Sequence, residues 1–407
     1  MEQEQSKQMF RKNKISVAEK QFRDKVFEKR ESLLTILLLK TDILCVRNMF
    51  LAAFVLLFLK TIFEDTINYG NPFNHLWLTA WNFKQLPITM LSWAVLFSST
   101  LLIHYTLRIW SKMSCRTMKR DSLILIVFYI IYLLAFFSFG IKFTLMMELE
   151  CACAFIIGCE STRFAMKVHS FVREIYPLVI ALKAQVDKNA YNKEEAEYAT
   201  NENSSKKFPT LSQYVYFLFC PSLVYRQSYP RNSSCNWKKV RNYATQILLT
   251  LYFVNLVFVQ MILPRFMIVD LTTVSLSDII SNVLASVLPG MLCLISLFYG
   301  LLHCWLNMFA ELLRYADRQF YLNWWSAKSM AEYYRFWNLV VYEWLYAYVY
   351  KDISLLIGGK KGVIVAQTLV FFLSSAFHEY WLGLAFRMFY PVLFTLYFVF
   401  GGNFFNI

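Results

Sequence analysis

Residues 362–387 of this 407-residue chain read GVIVAQTLVFFLSSAFHEYWLGLAFR. The stretch is apolar and long enough to cross a bilayer as a helix, and Lys361 and Arg387 flank it. It nevertheless carries His378 and Glu379 within the span. Ionisable groups inside a membrane helix are costly and usually face a polar cavity, so this pair marks a candidate functional site. The alternative is a structural histidine that bonds to a neighbouring helix.

The same helix carries a polar stripe. Gln367, Ser374 and His378 fall at i, i+7 and i+11, which places them on one helical face. We expect this face to line a cavity, with His378 at its deepest point. A stripe of this kind indicates a helix that contacts lipid on one side and a polar chamber on the other.

A second polar stripe is predicted in residues 320–350, FYLNWWSAKSMAEYYRFWNLVVYEWLYAYVY, which precede the histidine helix. Arg335, Asn338, Tyr342 and Tyr346 recur there at helical spacing on an otherwise apolar helix. This pattern favours a helix that lines a cavity. The alternative is an aromatic belt helix at the membrane interface, whose polar atoms bond to lipid headgroups.

The composition is that of an all-α, polytopic membrane protein: 57% of the residues are hydrophobic, 17% are charged, and the mean hydropathy is +0.41. The net charge of +14 comes from basic residues spread over short segments beside apolar spans. Such segments are typical of cytoplasmic membrane flanks rather than of a groove for nucleic acid. The nine cysteines lack metal-ligand spacing, so neither a zinc site nor a disulfide framework is expected.

About eight apolar stretches are predicted to be membrane segments. They are residues 48–63, 89–108, 123–145, 151–159, 246–263, 278–302, 362–386 and 388–405. Lysine and arginine are abundant after the second stretch and in residues 163–241. The positive-inside tendency therefore places these segments, the N-terminus and residues 314–361 in the cytosol.

Two segments are predicted to lie outside the membrane. Residues 1–31 form a cytosolic N-terminal arm, partly an amphipathic helix, and lack the apolar core of a signal peptide. Residues 181–207, which shift to a polar composition without apolar periodicity, are predicted to be a flexible cytosolic insert.

A buried histidine and an asparagine, without a metal, suit one reaction class. A neutral imidazole takes a proton from a hydroxyl group and an amide stabilises charge on an attacked carbonyl, which together indicate acyl transfer onto an alcohol. The sequence lacks both the G-x-S-x-G elbow of serine hydrolases and the Walker spacing of phosphate-binding loops. Lys360 and Lys361 suit a phosphorylated cofactor, although a membrane flank is the more frequent reason for such a pair.

Several motifs resemble the sterol O-acyltransferase branch of the membrane-bound O-acyltransferase family. Residues 320–325, FYLNWW, are similar to the FYxDWWN signature of sterol and diacylglycerol acyltransferases, and residues 378–380, HEY, resemble the box with the family's active-site histidine. Three longer runs resemble the sterol branch in particular: RFAMKVHSFVRE, YVYFLFCPSLVYRQSYPR and LLHCWLNMFAELLRYADRQFY. The likeness covers about residues 30–407, so a membrane-bound O-acyltransferase domain is expected at residues 32–407.

The resemblance implies an acyl-CoA-dependent sterol O-acyltransferase of the endoplasmic reticulum membrane that forms sterol esters for storage. It implies that His378 is the general base on the sterol hydroxyl and that Asn338 orients or stabilises the reacting acyl group. The residues implied to contact acyl-CoA are Tyr334, Arg335, Tyr350, Lys361 and Ser374. Acyl-CoA is a co-substrate from the cytosol and the sterol enters from the bilayer lipid. A homo-oligomer, dimer or tetramer, is expected, with no permanently bound cofactor and no nucleic acid.

The chain departs from the family pattern in places. Tyr342 stands where the sterol branch has histidine, so a proton role there is not expected. Asn323 and Ser326 replace an acid and an asparagine of the signature, whereas His303 matches a family histidine. Family members continue beyond residues 403–407, so a C-terminal helix is expected to be missing. Two alternatives remain: a diacylglycerol acyltransferase, and a truncated, weakly active membrane partner of a full-length acyltransferase.

Overall fold

The computed structural model describes residues 22–39, 41–112, 118–191, 208–269, 272–396 and 398. Within these ranges the chain is helical and forms no β-strand, apart from two isolated bridges between single residues. The α-helices are α1 (Leu33–Leu37), α2 (Thr41–Tyr69), α3 (Trp77–Asn82), α4 (Leu86–Lys112), α5 (Met118–Met146), α6 (Cys151–Tyr191), α7 (Leu211–Phe219), α8 (Trp237–Val257), α9 (Leu263–Phe266), α10 (Leu276–Leu297), α11 (Leu306–Leu312), α12 (Met330–Trp337), α13 (Leu339–Leu345), α14 (Lys351–Ile357), α15 (Gly359–Phe386) and α16 (Val392–Phe394). Wider π-helical segments are Phe258–Ile262, Phe298–Trp305 and Tyr346–Tyr350, and 3₁₀ turns are Asn74–Leu76 and Trp324–Ser326. The predicted all-α class is confirmed.

Five helical stretches are long and apolar enough to cross a membrane, judged by length and composition. They are Asn74–Lys112, Ser122–Met146, Trp237–Phe266, Leu276–Leu312 and Gly359–Phe386. Each contains one of the apolar stretches predicted from the sequence. Large apolar side chains such as Leu248, Leu284 and Met291 are exposed on these helices, where lipid would surround them. The predicted multi-pass membrane protein is confirmed.

The other three predicted stretches lie in different surroundings. Residues 48–63 belong to the 29-residue helix α2. Residues 151–159 are not a separate short span, because they begin the 41-residue helix α6. Of residues 388–405, only 388–396 and 398 are described, and they include the short helix α16. The total of eight membrane segments therefore stays a prediction.

Helix α6 is the centre of the core. Ile157, Phe164, Phe171 and Ile175 recur along it at helical spacing, and all four are buried. It packs against α4 and against α15, the helix that carries His378. Helix α6 also continues through residues 181–191, where the predicted insert begins, and the rest of that insert lies outside the described residues. The histidine helix is thus anchored on the centre of the fold.

A buried lysine fastens the turn that follows α7 to α6. Lys167 Nζ donates to the backbone carbonyls of Phe217, Cys220 and Ser222 at 2.6, 2.7 and 2.9 Å. An ammonium group has three N–H donors, so all of them are satisfied and the cost of burying the charge is largely offset. One side chain therefore fixes the point where the backbone leaves α7.

Residues 22–32, called the N-terminal strap below, form no helix, and residues 1–21 lie outside the described ranges. The strap pairs with a distant part of the chain. The Arg30 amide donates to the Ala316 carbonyl at 2.9 Å, and the Arg318 amide donates to the Arg30 carbonyl at 3.0 Å. The strap is therefore attached to the segment that leads into the second predicted stripe.

Candidate active site

His378 is half-buried on α15, and the helix itself holds its ring. Its Nδ1 lies 2.7 Å from the backbone carbonyl oxygen of Ser374, one turn earlier. A carbonyl only accepts hydrogen bonds, so Nδ1 carries the hydrogen and, in the neutral ring, Nε2 keeps the lone pair. The indole of Trp381 packs against the imidazole, with 4.8 Å between ring centroids. The geometry prepares Nε2 to accept a proton.

The residues that follow His378 dock α15 on α6. The Tyr380 hydroxyl lies 3.1 Å from Ser161 Oγ, and Trp381 Nε1 donates to Thr162 Oγ1 at 2.9 Å. Both partners belong to the central helix. Side-chain hydrogen bonds of this kind each contribute about 0.5–1.5 kcal/mol. They restrict rotation of α15 at the turn that carries the histidine.

The predicted polar face of α15 is only partly present. Glu379, which shares the membrane stretch with His378, is buried and accepts the backbone amide of Phe394 at 3.1 Å. It therefore holds the following segment, which is a structural role. Gln367 is exposed, whereas Ser374 is half-buried and gives its carbonyl to the histidine. His378 is the member of this face that is prepared for chemistry.

Asn338 separates α12 from α13, so the predicted continuous helix through the second stripe is wrong. Its backbone angles, φ −141° and ψ 88°, lie outside the helical region. The amide of Leu339 turns to the carbonyl of Phe320 at 2.9 Å instead of a helical partner. Asn338 Oδ1 accepts the Val341 amide at 3.2 Å and caps α13. Because the oxygen serves the cap, the other polar group of this side chain is an NH₂ group with two hydrogen-bond donors.

Of the residues predicted to contact acyl-CoA, Tyr334 is brought to the histidine helix. Its ring meets Phe371 edge-on, with 6.3 Å between centroids. Phe371 lies two turns before His378 on α15. Arg335 is exposed, and its Nε donates to the Ala331 carbonyl at 3.2 Å. The structure therefore places Tyr334 against α15 and leaves Arg335 at the surface.

Tyr350, another predicted acyl-CoA contact, ends a row of tyrosines. Tyr342, Tyr346 and Tyr350 stack successively, with 6.2 and 5.6 Å between ring centroids. Phe22 of the strap packs edge-on against Tyr350 at 6.2 Å. Lys361 is exposed near the start of α15. The predicted cofactor residues thus come from three elements: α12, the π-helical segment after α13, and α15.

A cavity of about 850 Å³ lies between the strap, α6 and this tyrosine row. Tyr342 and Tyr346 line it, and charged side chains line its other walls. Burial raises the pKa of the Tyr342 phenol, which keeps it a neutral hydrogen-bond donor near pH 7. The sterol acyltransferase branch that the sequence resembles has a histidine at this position. Tyr342 therefore donates a hydrogen bond there, but unlike a histidine it does not change its charge near pH 7.

An ion-pair cluster beside Asn338 was not predicted from the sequence. In it, Lys25 and Arg30 of the strap meet Asp317 and Glu343. The lysines and arginines of residues 1–31 resemble a membrane flank in sequence. No local sequence pattern pairs them with Asp317 and Glu343, which lie about 290 residues or more further along the chain. The cluster can therefore be recognised only in the folded structure, where these distant residues come together.

His303, which matches a family histidine, belongs to a separate buried network. Its Nδ1 lies 2.7 Å from the Tyr321 hydroxyl, which is also 2.9 Å from Ser32 Oγ. Asn307 Nδ2 donates to the His303 carbonyl at 2.8 Å. These contacts tie the end of the strap to the π-helical segment Phe298–Trp305, which is a structural role.

The arrangement offers a base and hydrogen-bond donors on neighbouring elements. His378 Nε2 carries a lone pair, Asn338 carries an NH₂ group, and the contact of Tyr334 with Phe371 joins α12 to α15. Among the described residues, no three His, Cys, Asp or Glu side chains come together as a metal site requires. A proton acceptor and an amide donor are the groups that attack of a hydroxyl group on a carbonyl requires.

Comparison with known proteins gives a consistent match. The sequence model of the MBOAT family, the membrane-bound O-acyltransferases, matches residues 80–404 of this chain. The chain is 37% identical to Sterol O-acyltransferase 1 of Rattus norvegicus, over 93% of this chain and 67% of the relative. It is 33% identical to Sterol O-acyltransferase 2 of Mus musculus, over 93% of this chain and 69% of the relative. The chain spans about two thirds of the length of these curated relatives.

Proposed function

Because the chain belongs to the membrane-bound O-acyltransferase family and is thus an acyltransferase, we propose that it transfers a long-chain fatty acyl group from acyl-CoA to the hydroxyl group of a sterol. The names of the relatives support a sterol as the acceptor, and their similarity extends over 93% of this chain. The product is a sterol ester, a form suited to lipid storage because its polar hydroxyl group is masked.

In the proposed reaction, His378 Nε2 takes the proton of the sterol hydroxyl as the oxygen attacks the thioester carbonyl carbon. The Asn338 NH₂ group donates to the carbonyl oxygen as negative charge develops there. The carbon–sulfur bond then breaks, and the departing CoA thiolate takes the proton from the imidazolium. The ester bond forms, the thioester bond is lost, and His378 returns to its neutral form.

The bond from His378 Nδ1 to the Ser374 carbonyl at 2.7 Å is the observation that carries this proposal. It selects the tautomer in which Nε2 is basic, as a general base requires. It also stabilises the imidazolium, because Nδ1 keeps its acceptor when the ring becomes charged.

The proposed setting is the endoplasmic reticulum membrane, with the N-terminus in the cytosol. Acyl-CoA enters from the cytosol as a co-substrate, and the sterol enters laterally from the bilayer. The exposed cations Arg335 and Lys361 suit the phosphate groups of CoA, and Tyr334, Tyr350 and Ser374 complete the proposed contacts with acyl-CoA. A homo-oligomer, dimer or tetramer, remains part of the proposal.

Microsomes from cells that express the chain, supplied with labelled oleoyl-CoA and cholesterol, test the proposal. We expect sterol ester above an empty-vector control and a loss of at least about 100-fold in His378→Ala, because general-base catalysis is worth that much. Thr368→Ala is the matched control, since Thr368 is exposed on the same helix and its hydroxyl donates to the Ile364 carbonyl of that helix. Its activity should equal that of the wild type.

Two results would contradict the proposal. Triacylglycerol formation from added diacylglycerol, without any sterol ester, would show the acceptor to be wrong. The absence of any ester above the control would favour a weakly active membrane partner instead.

A further inference from the structure

Two carboxylates beside the Asn338 helix receive their counter-ions from the N-terminal strap. The Asp317 side chain is fully buried, and that of Glu343 is 21% exposed. Lys25 Nζ lies 2.5 Å from Glu343 Oε1 and 3.6 Å from Asp317 Oδ2. Arg30 Nε lies 3.1 Å from Asp317 Oδ1. Removal of one partner from a buried ion pair leaves an uncompensated charge, so the strap completes the electrostatics of this region.

Glu343 connects the strap to the candidate active site. It lies on the seven-residue helix α13, which begins directly after Asn338 and carries Asn338 as its cap. The helical backbone continues from α13 through Tyr346–Tyr350 into α14, so Asn338 stands at the end of a longer helix, whose position there depends on tertiary contacts. Its first amide bonds to the Phe320 carbonyl, and the pair of Lys25 with Glu343 holds it further along. A shift of α13 would move the residue that caps it.

The strap also contacts the segment that holds the start of α13, through Arg30. The backbone of Arg30 pairs with residues 316–318, and its side chain pairs with Asp317. Three residues beyond Asp317, Phe320 accepts the amide of Leu339. The strap, the segment after residue 315 and the start of α13 therefore form one continuous set of contacts.

We propose that Lys25 is a positioning residue for acyl transfer: its contact with Glu343 sets the place of α13 and so the direction of the Asn338 amide. The inference rests on the proposed function, in which that amide donates to the reacting carbonyl. Lys25 acts through Glu343 and not on a substrate. A strap that only stabilised the fold would change the amount of folded protein and leave turnover per folded molecule unaltered.

Three variants of the full chain test this role. Lys25→Met removes the charge and keeps an apolar stem of similar length, Lys25→Arg keeps the charge, and Lys25→Glu combined with Glu343→Lys exchanges the partners. The matched control is Asp24→Asn, which removes the adjacent strap ion pair to Lys351, where Asp24 is 71% exposed. Purified protein is measured for kcat, for KM of acyl-CoA, and for amide hydrogen exchange in residues 339–345.

We expect Lys25→Met to lower kcat about tenfold, with KM for acyl-CoA changed less than about twofold. Amide exchange in residues 339–345 should rise about tenfold, because the cap loosens with the helix. Lys25→Arg and the exchanged pair should return both values to within about threefold of the wild type. Asp24→Asn should change neither value.

The inference is overturned if Lys25→Met leaves both kcat and amide hydrogen exchange at wild-type values. It is also overturned if only one of the two quantities changes, or if the double variant with the charges swapped does not restore both. Lower yield of Lys25→Met with normal turnover per folded molecule would likewise assign the strap to stability alone. Wild-type protein that makes no sterol ester would sink the proposed function, while the exchange measurement would still decide whether Lys25 positions α13.

Discussion

The helix with His378 runs without interruption from Gly359 to Phe386, whereas the segment with Asn338 changes conformation at that residue and again at Tyr346–Tyr350. On the first side, the histidine takes its hydrogen-bond partner from its own helix, one turn away. On the second side, the asparagine takes its position from Phe320 and from the strap. One half of the proposed catalytic pair is thus placed by local geometry, and the other half by contacts between distant parts of the chain.

This difference predicts different sensitivities. A local bond such as that of His378 survives unless its own helix is disturbed. The position of Asn338 responds to residues that lie far away in sequence, because Phe320 and, through Glu343, Lys25 hold the helix that it caps. Substitutions remote from both residues should therefore affect the asparagine side more than the histidine side.

The largest effect tests what Asn338 contributes. Asn338→Ser keeps an N-cap and loses the amide donors, whereas Asn338→Ala loses both. Both variants should lower kcat for ester formation by about 100-fold, as loss of one such donor does. Only Asn338→Ala should lower the free energy of unfolding, by about 1 kcal/mol. Turnover and thermal unfolding in detergent are the measurements, and full activity of Asn338→Ser would assign the residue to capping alone.

A smaller effect is expected where the histidine helix meets α14. A Cβ added to Gly362 would lie 2.9 Å from the backbone carbonyl oxygen of Ser354, which is too close. Gly362→Ala should lower the free energy of unfolding by about 1–3 kcal/mol, since the backbone must shift. The control is Gly290→Ala, where an added Cβ has no neighbour within 4 Å. Equal unfolding midpoints for the two variants would contradict the packing described for α15.

The smallest effect concerns pH. Burial raises the pKa of the Glu343 carboxyl, and Lys25 and Arg30 oppose this shift while Asp317 adds to it. Removal of Lys25 should raise that pKa further, so in Lys25→Met the carboxylate charge is destabilising at high pH and is lost as pH falls. The activity of Lys25→Met relative to the wild type should therefore be a few-fold higher at about pH 6 than at about pH 8.

The activity of Lys25→Met is divided by that of the wild type at each pH, because His378 contributes the same pH dependence to both and this contribution cancels. A ratio that stays constant with pH, or that rises with pH, would show that Glu343 keeps its charge without Lys25. The dependence of the Asn338 side on distant residues would then not include the charge of Lys25.

The membrane helices could be predicted from the sequence because apolar length and helical spacing are local properties. The histidine helix, its bounds within a few residues, and the spans around Leu284 and Leu248 all follow from them. The prediction of a separate short span at residues 151–159 is wrong, because its helix continues with polar residues such as Lys167 that core contacts satisfy. Charge marks the end of a membrane span, but it does not mark the end of a buried helix.

The break at Asn338 could not be predicted from spacing, since the same residues fit one continuous helix. Asparagine is a common N-cap, yet it also occurs within helices, and the decision here depends on the Phe320 carbonyl. The pairing of Lys25 with Glu343 has no local signal either. What remained hidden was the set of long-range contacts that places one half of the candidate site.

The strap has a consequence for biosynthesis. Lys25 and Glu343 are 318 residues apart, so at about 5–20 residues per second the ribosome needs roughly 15–65 s to deliver the second partner after the first. During that interval Lys25 cannot bind Glu343, and under the proposed topology the strap cations stand on the cytosolic side of the first long helix. The positive-inside tendency predicts that cations in this position help to orient the nascent chain during insertion. On this prediction, Lys25 first helps to direct the chain into the membrane and only later pairs with Glu343 in the folded protein.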